Sequence, residues 1–190
     1  MTVGVLLLAA GRSRRYGVDK RLATLRTGQT LLRTTLAQIA QTSLPVQVCL
    51  RPDDDDLHAE LEGQGFRCVR CDRARDGMGA TLAQGMAALP EWDAVVVMLA
   101  DMPWVQPSTV LELARTVTLQ TIAVPVFSGQ RGNPVAFGSA HFEELGRCQG
   151  DQGARSLVLA HASAVLEIPV DDAGILRDVD HPDDLSVVHQ

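Results

Sequence analysis

No part of this sequence stays apolar for long. Its longest strongly hydrophobic run, residues 3–10, is about half of the roughly 20 residues that a membrane-spanning helix requires, which excludes such a helix. No basic residue precedes the run and an arginine cluster follows it, the reverse of a secretory signal, so a soluble cytoplasmic protein is expected. Cysteine is sparse. Cys49, Cys68, Cys71 and Cys148 show no repeated framework in a chain long enough to fold without covalent staples, and reduced thiols are expected. An excess of positive charge is also lacking: a net charge of −6 gives no electrostatic footing for nucleic acid. There is no internal repeat, low-complexity tract or evident linker, and the 5 histidines include no pair at i, i+4 spacing. Lysine is almost missing, since Lys20 alone among 17 basic residues is not arginine. Lys20 is either a chance survivor or a position that needs a compact ammonium rather than a planar guanidinium.

What is present is ordinary globular material. The chain has 190 residues, 46% of them hydrophobic and 21% charged, which fits one domain with a full core. Residues 3–10, closed by Gly11, read as a strand buried on both faces of a parallel sheet. Leu32, Leu36, Ile39 and Ala40 fall at helical spacing, and a strand over 46–50 follows Pro45. Asp53 to Asp56 open a helix with acidic residues against its positive dipole end, and read as a solvated first turn. Further strands are expected over 66–71, 94–100, 122–127, 134–137 and 165–170. Helices are expected over 79–89, from Pro107, near His141, over 152–160 and after Pro182. This alternation predicts right-handed crossovers and a parallel α/β sheet covered on both sides. Ligands in such a sheet bind at the carboxyl ends of the strands where the strand order reverses, which directs attention to Gly11 onward and Asp101 onward.

Two features there can carry chemistry. The loop L-A-A-G-R-S-R-R-Y-G-V-D-K, residues 8–20, combines a small-residue turn with Arg12, Arg14, Arg15 and Lys20, which suits a polyphosphate or a simple solvated basic loop. It is neither a Walker A loop nor G-x-G-x-x-G. Asp101 stands where a buried strand ends, and a carboxylate beside phosphates usually holds Mg²⁺; its other reading is a cap on the following turn.

The loop, then G-M-G-A-T-L from Gly77, A-D-M-P from Ala100, R-G-N-P-V-A-F-G from Arg131, G-D-Q-G-A-R from Gly150 and D-V-D-H-P-D-D-L from Asp178 occur in the order seen in MobA-like nucleotidyltransferases. The resemblance spans nearly the whole chain. Within that family the L-A-A-G and G-D-Q-G-A-R segments resemble the molybdenum cofactor cytidylyltransferase branch. The resemblance implies a three-layer α/β/α Rossmann-like fold with a mostly parallel sheet. It further implies transfer of CMP from CTP to the terminal phosphate of molybdopterin, with Mg²⁺ as cofactor and a molybdenum hydroxylase as the partner that receives the product. Carried onto this chain, the family motifs place nucleotide contacts at Leu8, Ala9, Ala10, Gly11, Arg12, Ser13, Lys20, Gly79 and Asp101. Lys20, Arg15 and Asp101 are the catalytic set, and Asp101 and Asp180 are the metal ligands, with helix capping as the other role open to Asp180. Asn133, Asp151 and Arg155 are the acceptor contacts. Tyr16 stands where the family usually has Met, Gly79 and Ala80 where Ser is common, and G-N-P at 132–134 where this branch has G-H-P. The acceptor brings its own ionised phosphate, so no enzyme nucleophile is required, in keeping with a sequence that shows no convincing Ser/His/Asp or Cys/His set. The other expectations open at this stage are transfer to a sugar or polyol phosphate and a non-catalytic nucleotide-binding module that assists cofactor insertion.

The C-x-x-C at Cys68 and Cys71 has no second pair or nearby histidine to complete a zinc site, and structural thiols are expected. Asp151 and Arg155 lie four apart and would share a helix face if the helix begins there.

Overall fold

The computed structural model describes residues 1–11, 19–151, 153–179 and 184. Its strands are β1 (Val3–Leu8), β2 (Val46–Leu50), β3 (Arg67–Arg70), β4 (Ala94–Leu99), β5 (Ile122–Phe127), β6 (Gln130–Arg131), β7 (Val135–Gly138) and β8 (Val165–Pro169). Its α-helices are α1 (Leu31–Ala40), α2 (Asp55–Gly63), α3 (Met78–Ala87), α4 (Pro107–Thr116), α5 (Phe142–Leu145) and α6 (Arg155–Ala160). No helix among the described residues is long and apolar enough to cross a membrane.

All eight strands form one sheet in the order β3-β2-β1-β4-β7-β5-β6, with β8 on β5. β1 is its centre. Parallel partners flank it on both sides, Val5 to Leu8 against Val46 to Cys49 and Val3 to Leu8 against Ala94 to Leu99. A strand in that position can expose neither face, which is why its sequence is continuously apolar rather than alternating. Its side chains divide by the two-residue period. Val5, Leu7 and Ala9 face a core completed by Leu32, Leu36 and Ile39 of α1, Leu61 of α2 and Val110 and Leu113 of α4. Leu6, Leu8 and Ala10 face the opposite core with Leu82 and Met86 of α3, Leu145 of α5 and Leu157 of α6. The result is a three-layer α/β/α arrangement, and each large aliphatic side chain buried in it contributes about 1.5–3 kcal/mol.

The sheet is mostly parallel, as expected, and its antiparallel part is the β5–β6 hairpin and β7, which runs antiparallel to both β4 and β5. The cause is local. Phe127 pairs with Gln130 around a two-residue turn in which Ser128 and Gly129 both have positive φ, 49° and 78°, and a hairpin returns the chain antiparallel where a crossover would be needed for a parallel neighbour. The short β6 in this hairpin was not expected from sequence. Several further boundaries move. β1 ends at Leu8 rather than at residue 10; the helix near His141 is a 3-10 turn followed by the four-residue α5; and α6 starts at Arg155 rather than at 152. The helix expected after Pro182 lies outside the described residues.

The C-x-x-C cysteines occupy opposite faces of the sheet, because three residues along a strand reverse the side chain. Cys68 packs with the α1/α2/α4 side and Cys71 lies in the α3 side. The neighbour of Cys71 is Cys49, and both thiols lie near the Thr81 carbonyl, at 3.9 and 4.0 Å.

Candidate active site

The strand order reverses at β1, with β2 to one side and β4 to the other, so the loops that leave Leu8 and Leu99 border the crevice where this fold binds ligands. Ala9 and Ala10 are buried in that turn and Gly11 is exposed. The Ala9 N–H continues the strand ladder by donating to Cys49 O at 3.0 Å, and Ala100 N–H does the same to Leu8 O at 3.2 Å. The buried Thr35 hydroxyl of α1 donates to Ala100 O at 3.1 Å, fixing the end of β4 one residue before Asp101.

Lys20 and Asp101, 81 positions apart in sequence, meet at this point. Lys20 Nζ donates to Asp101 Oδ2 at 2.5 Å and to Val179 O at 2.9 Å. Val179 N–H in turn donates to Asp101 O at 3.0 Å, so Val179 ties the two loops together. The side chains of Lys20 and Asp101 are 16% and 18% exposed. Burial pushes the Asp101 carboxyl above its ordinary range despite the pull of Lys20, and the negative charge of Asp178 adds to the rise. Asp101 Oδ1 is buried and finds no hydrogen-bond partner among the described residues. An anionic oxygen in that state is costly unless a cation completes it, which is the condition a divalent metal satisfies.

Four charged residues lie behind this pair: Arg21, Asp19 and Arg51, to which the sequence reading gave no role, and Asp54, which it placed in a solvated helix turn. Arg21 is buried, and its planar fork is filled on every donor. It makes bidentate pairs with Asp19 (2.9 and 2.6 Å) and with Asp54 (2.5 and 2.7 Å), and a bond to Ala9 O at 2.8 Å. Arg51, at the end of β2, donates to Gly11 O through Nε at 3.1 Å and also through Nη2, and to Asp19 Oδ2 at 2.9 Å. Burial alone would raise the Asp19 and Asp54 carboxyls, but hydrogen bonds and charge from Arg21, supported by Arg51, hold both below their ordinary value. The same two carboxylates raise the Arg21 guanidinium against its burial. Asp54 is therefore an ion-paired anchor rather than part of a wholly solvated helix turn. The signal available in sequence was Arg51 and Asp54 three residues apart at the end of a predicted strand.

The remaining motif residues gather along the same edge of the sheet. Gly77 and Gly79 begin α3, and Gly79 N–H donates to Gly150 O at 2.7 Å. A Cβ on Gly79 would stand 2.6 Å from the Gln149 backbone, and one on Gly77 would meet Gly150 and Asp151 at the same distance. Gly77 also has φ of 107°. The two glycines thus let the 149–151 loop close over the start of α3. Asp151 precedes α6 and Arg155 is its first residue, so they do not share a helix face; both are exposed. Val97 pairs with Val135 in the antiparallel register, which puts the exposed Asn133 at the carboxyl end of β4, beside the Asp101 loop. Asn133 N–H donates to Ile175 O at 2.9 Å. Arg12, Ser13, Arg15 and Asp180 lie outside the described residues.

Residues 5–165 match the MobA-like NTP transferase domain. The chain belongs to that family. It is 30% identical over 200 residues to the purine catabolism protein PucB of Bacillus subtilis (strain 168), a match covering 99% of this chain and 96% of PucB. Among solved structures it resembles Rv0371c from Mycobacterium tuberculosis H37Rv, with a TM-score of 0.84 and 29% identity over 98% of this chain and 96% of that one. Rv0371C has also been solved in complex with manganese; that structure has a TM-score of 0.77 at 26% identity, over 90% of this chain and 88% of its own. A nucleotidyl transferase from Methanothermobacter (Mth528) shares the fold, with a TM-score of 0.81 at 20% identity over 96% and 94% of the two chains. This MobA-like chain is accordingly a nucleotidyltransferase domain.

Proposed function

We propose that the protein is a Mg²⁺-dependent cytidylyltransferase that transfers CMP from CTP to the terminal phosphate of molybdopterin and releases pyrophosphate. The observation that carries the reading is the Lys20–Asp101 pair at the carboxyl ends of β1 and β4, with Asp101 Oδ1 buried and unpartnered among the described residues. Asp101 is the residue to hold the metal, with Asp180 as its companion by motif position. A bound divalent ion neutralises charge on the triphosphate oxygens. Rv0371C was solved in complex with manganese, which supports the use of a divalent ion by this chain.

The chain's own residues do the rest. Leu8, Ala9, Ala10 and Gly11 receive the triphosphate, and Arg12, Ser13 and Arg15 contribute contacts and charge by motif position. Lys20 exchanges its bond to Asp101 for the phosphate oxygens when the nucleotide enters, placing a compact ammonium where negative charge grows as the acceptor phosphate attacks the α-phosphorus in line. Pyrophosphate leaves with the electron pair of the broken P–O bond. No side chain must act as nucleophile, so catalysis consists of alignment and charge stabilisation. Gly79 supports the nucleotide side of the crevice through the 149–151 loop, and Asn133, Asp151 and Arg155 face the acceptor. The L-A-A-G and G-D-Q-G-A-R segments favour CTP and molybdopterin over other pairs, and a molybdenum hydroxylase is the expected recipient of the product.

The test is pyrophosphate release by the purified protein with Mg²⁺ and each of CTP, GTP, ATP and UTP, with and without molybdopterin. Release with CTP and molybdopterin together is expected. Release with GTP instead moves the protein to guanylyl transfer, and release that needs a sugar phosphate overturns the acceptor.

A further inference from the structure

The Arg21–Asp19–Arg51–Asp54 cluster is larger than its stability value explains. Burying a guanidinium with two carboxylates roughly offsets desolvation by attraction, so apolar residues of the same volume would stabilise the fold about as well. What such a cluster adds is geometric definition. The Arg21 fork holds Ala9 O from the end of β1, Asp19 from the segment that carries Lys20, and Asp54 from the start of α2. Arg51 holds Gly11 O and Asp19 from the opposite side, and its own N–H donates to Asp54 Oδ2 at 2.8 Å. Asp19 is the shared member, and it also accepts from Arg21 N–H at 3.2 Å, capping the 3-10 turn Lys20–Leu22. The two points where the chain leaves β1 and returns to Lys20 are thus fastened to one another and to the end of β2.

We propose that Arg51 and Arg21 are positioning residues of the transferase centre: by fixing Gly11 and Asp19 against β2 they set the place and direction of Lys20, without touching the substrate themselves. This rests on the nucleotidyl-transfer reading for its kinetic consequence, but its structural consequence stands apart from it. The planar fork is essential, because Arg51 must satisfy a carbonyl and a carboxylate at once, which a lysine head cannot do with the same geometry.

The experiment combines a double-mutant cycle with amide exchange. Arg51→Ala is expected to lower kcat/KM for the nucleotide at least tenfold in the native background and less than threefold when Lys20 is already Ala, because a residue that acts through Lys20 has nothing left to position. Arg51→Lys is expected to recover part of the loss. Without nucleotide, Arg51→Ala should speed amide exchange over residues 19–23 at least tenfold. Arg33→Ala, which removes an exposed pair with Glu60, should leave that exchange unchanged. Equal kinetic losses in both backgrounds, or unchanged exchange over 19–23, overturn the proposal. If the native protein releases no pyrophosphate with any nucleotide, the transfer reading fails and the exchange arm alone decides the clamp, in the same two directions. If Arg51→Ala does not fold, Arg51→Lys carries the comparison, since it keeps the charge and loses the fork.

Discussion

Lys20 does more than balance one carboxylate. It bonds to Asp101 and to the Val179 carbonyl together, which explains a compact, multi-directional ammonium at this one position in a chain otherwise furnished with arginine. Lys20→Ala and Asp101→Ala should each reduce pyrophosphate release by about 10²–10³-fold, the scale of losing one group that stabilises transition-state charge. The loss of turnover in both variants should far exceed their loss of stability, which thermal melting checks. Asp54 tests the opposite kind of residue. Its carboxyl is held below the ordinary value by Arg21, so its contribution to stability is complete above the unfolded carboxylate range and is lost as pH falls through the folded value. Asp54→Asn should therefore cost about 3 kcal/mol at neutral pH, because Arg21 keeps a buried charge with one carboxylate fewer. Urea denaturation from pH 7 down to pH 3 should show the gap between native and variant closing. Lys20 and Asp101 could be singled out in sequence because a lone lysine and a strand-end aspartate stand out. The Arg21–Asp54 pairing could not, since it spans 33 positions, and the Arg51–Asp54 spacing was the one local sign of the cluster.

The elements of the first half follow their sequence closely, and those of the second half less so. β2 and β5 fall at the expected residues because a buried strand bounded by turn residues has one reading. β7 was legible as a strand but not in direction, because direction came from the Ser128–Gly129 hairpin and not from the strand's own residues. Gly79 belongs to this scale as well. Its absent side chain leaves room for the Gln149 backbone, so Gly79→Ala must push that loop away from α3. A loss of about 1–3 kcal/mol is expected, together with weaker nucleotide binding, whereas an alanine at the exposed Gly63, where a Cβ meets nothing, should leave both unchanged. Calorimetric titration with Mg-CTP and a urea melt on both variants check the contrast.

At the level of the whole molecule, every motif segment that could be placed opens onto the carboxyl-end edge of one sheet, although those segments are scattered from Leu8 to Val179. Ligand binding at that edge should stabilise the entire fold by mass action. With Mg-CTP at a hundred times its dissociation constant the gain is about 2.7 kcal/mol, or a rise in melting temperature of roughly 5–10 °C for a chain of this size. A scanning-fluorimetry series should show that rise in the native protein and lose most of it in Lys20→Ala. The layer order and the crevice could be read from alternating elements alone, whereas the tie through Val179 could not, because Val179 contributes only its backbone groups, which carry no residue identity. That tie sets a timetable during synthesis. β1, the Lys20 turn and β4 can pair as soon as they leave the ribosome, yet Lys20 and Asp101 receive their shared backbone partner only when Val179 has emerged. The centre of the sheet therefore stays unfinished in a nascent chain until residue 179 has been made.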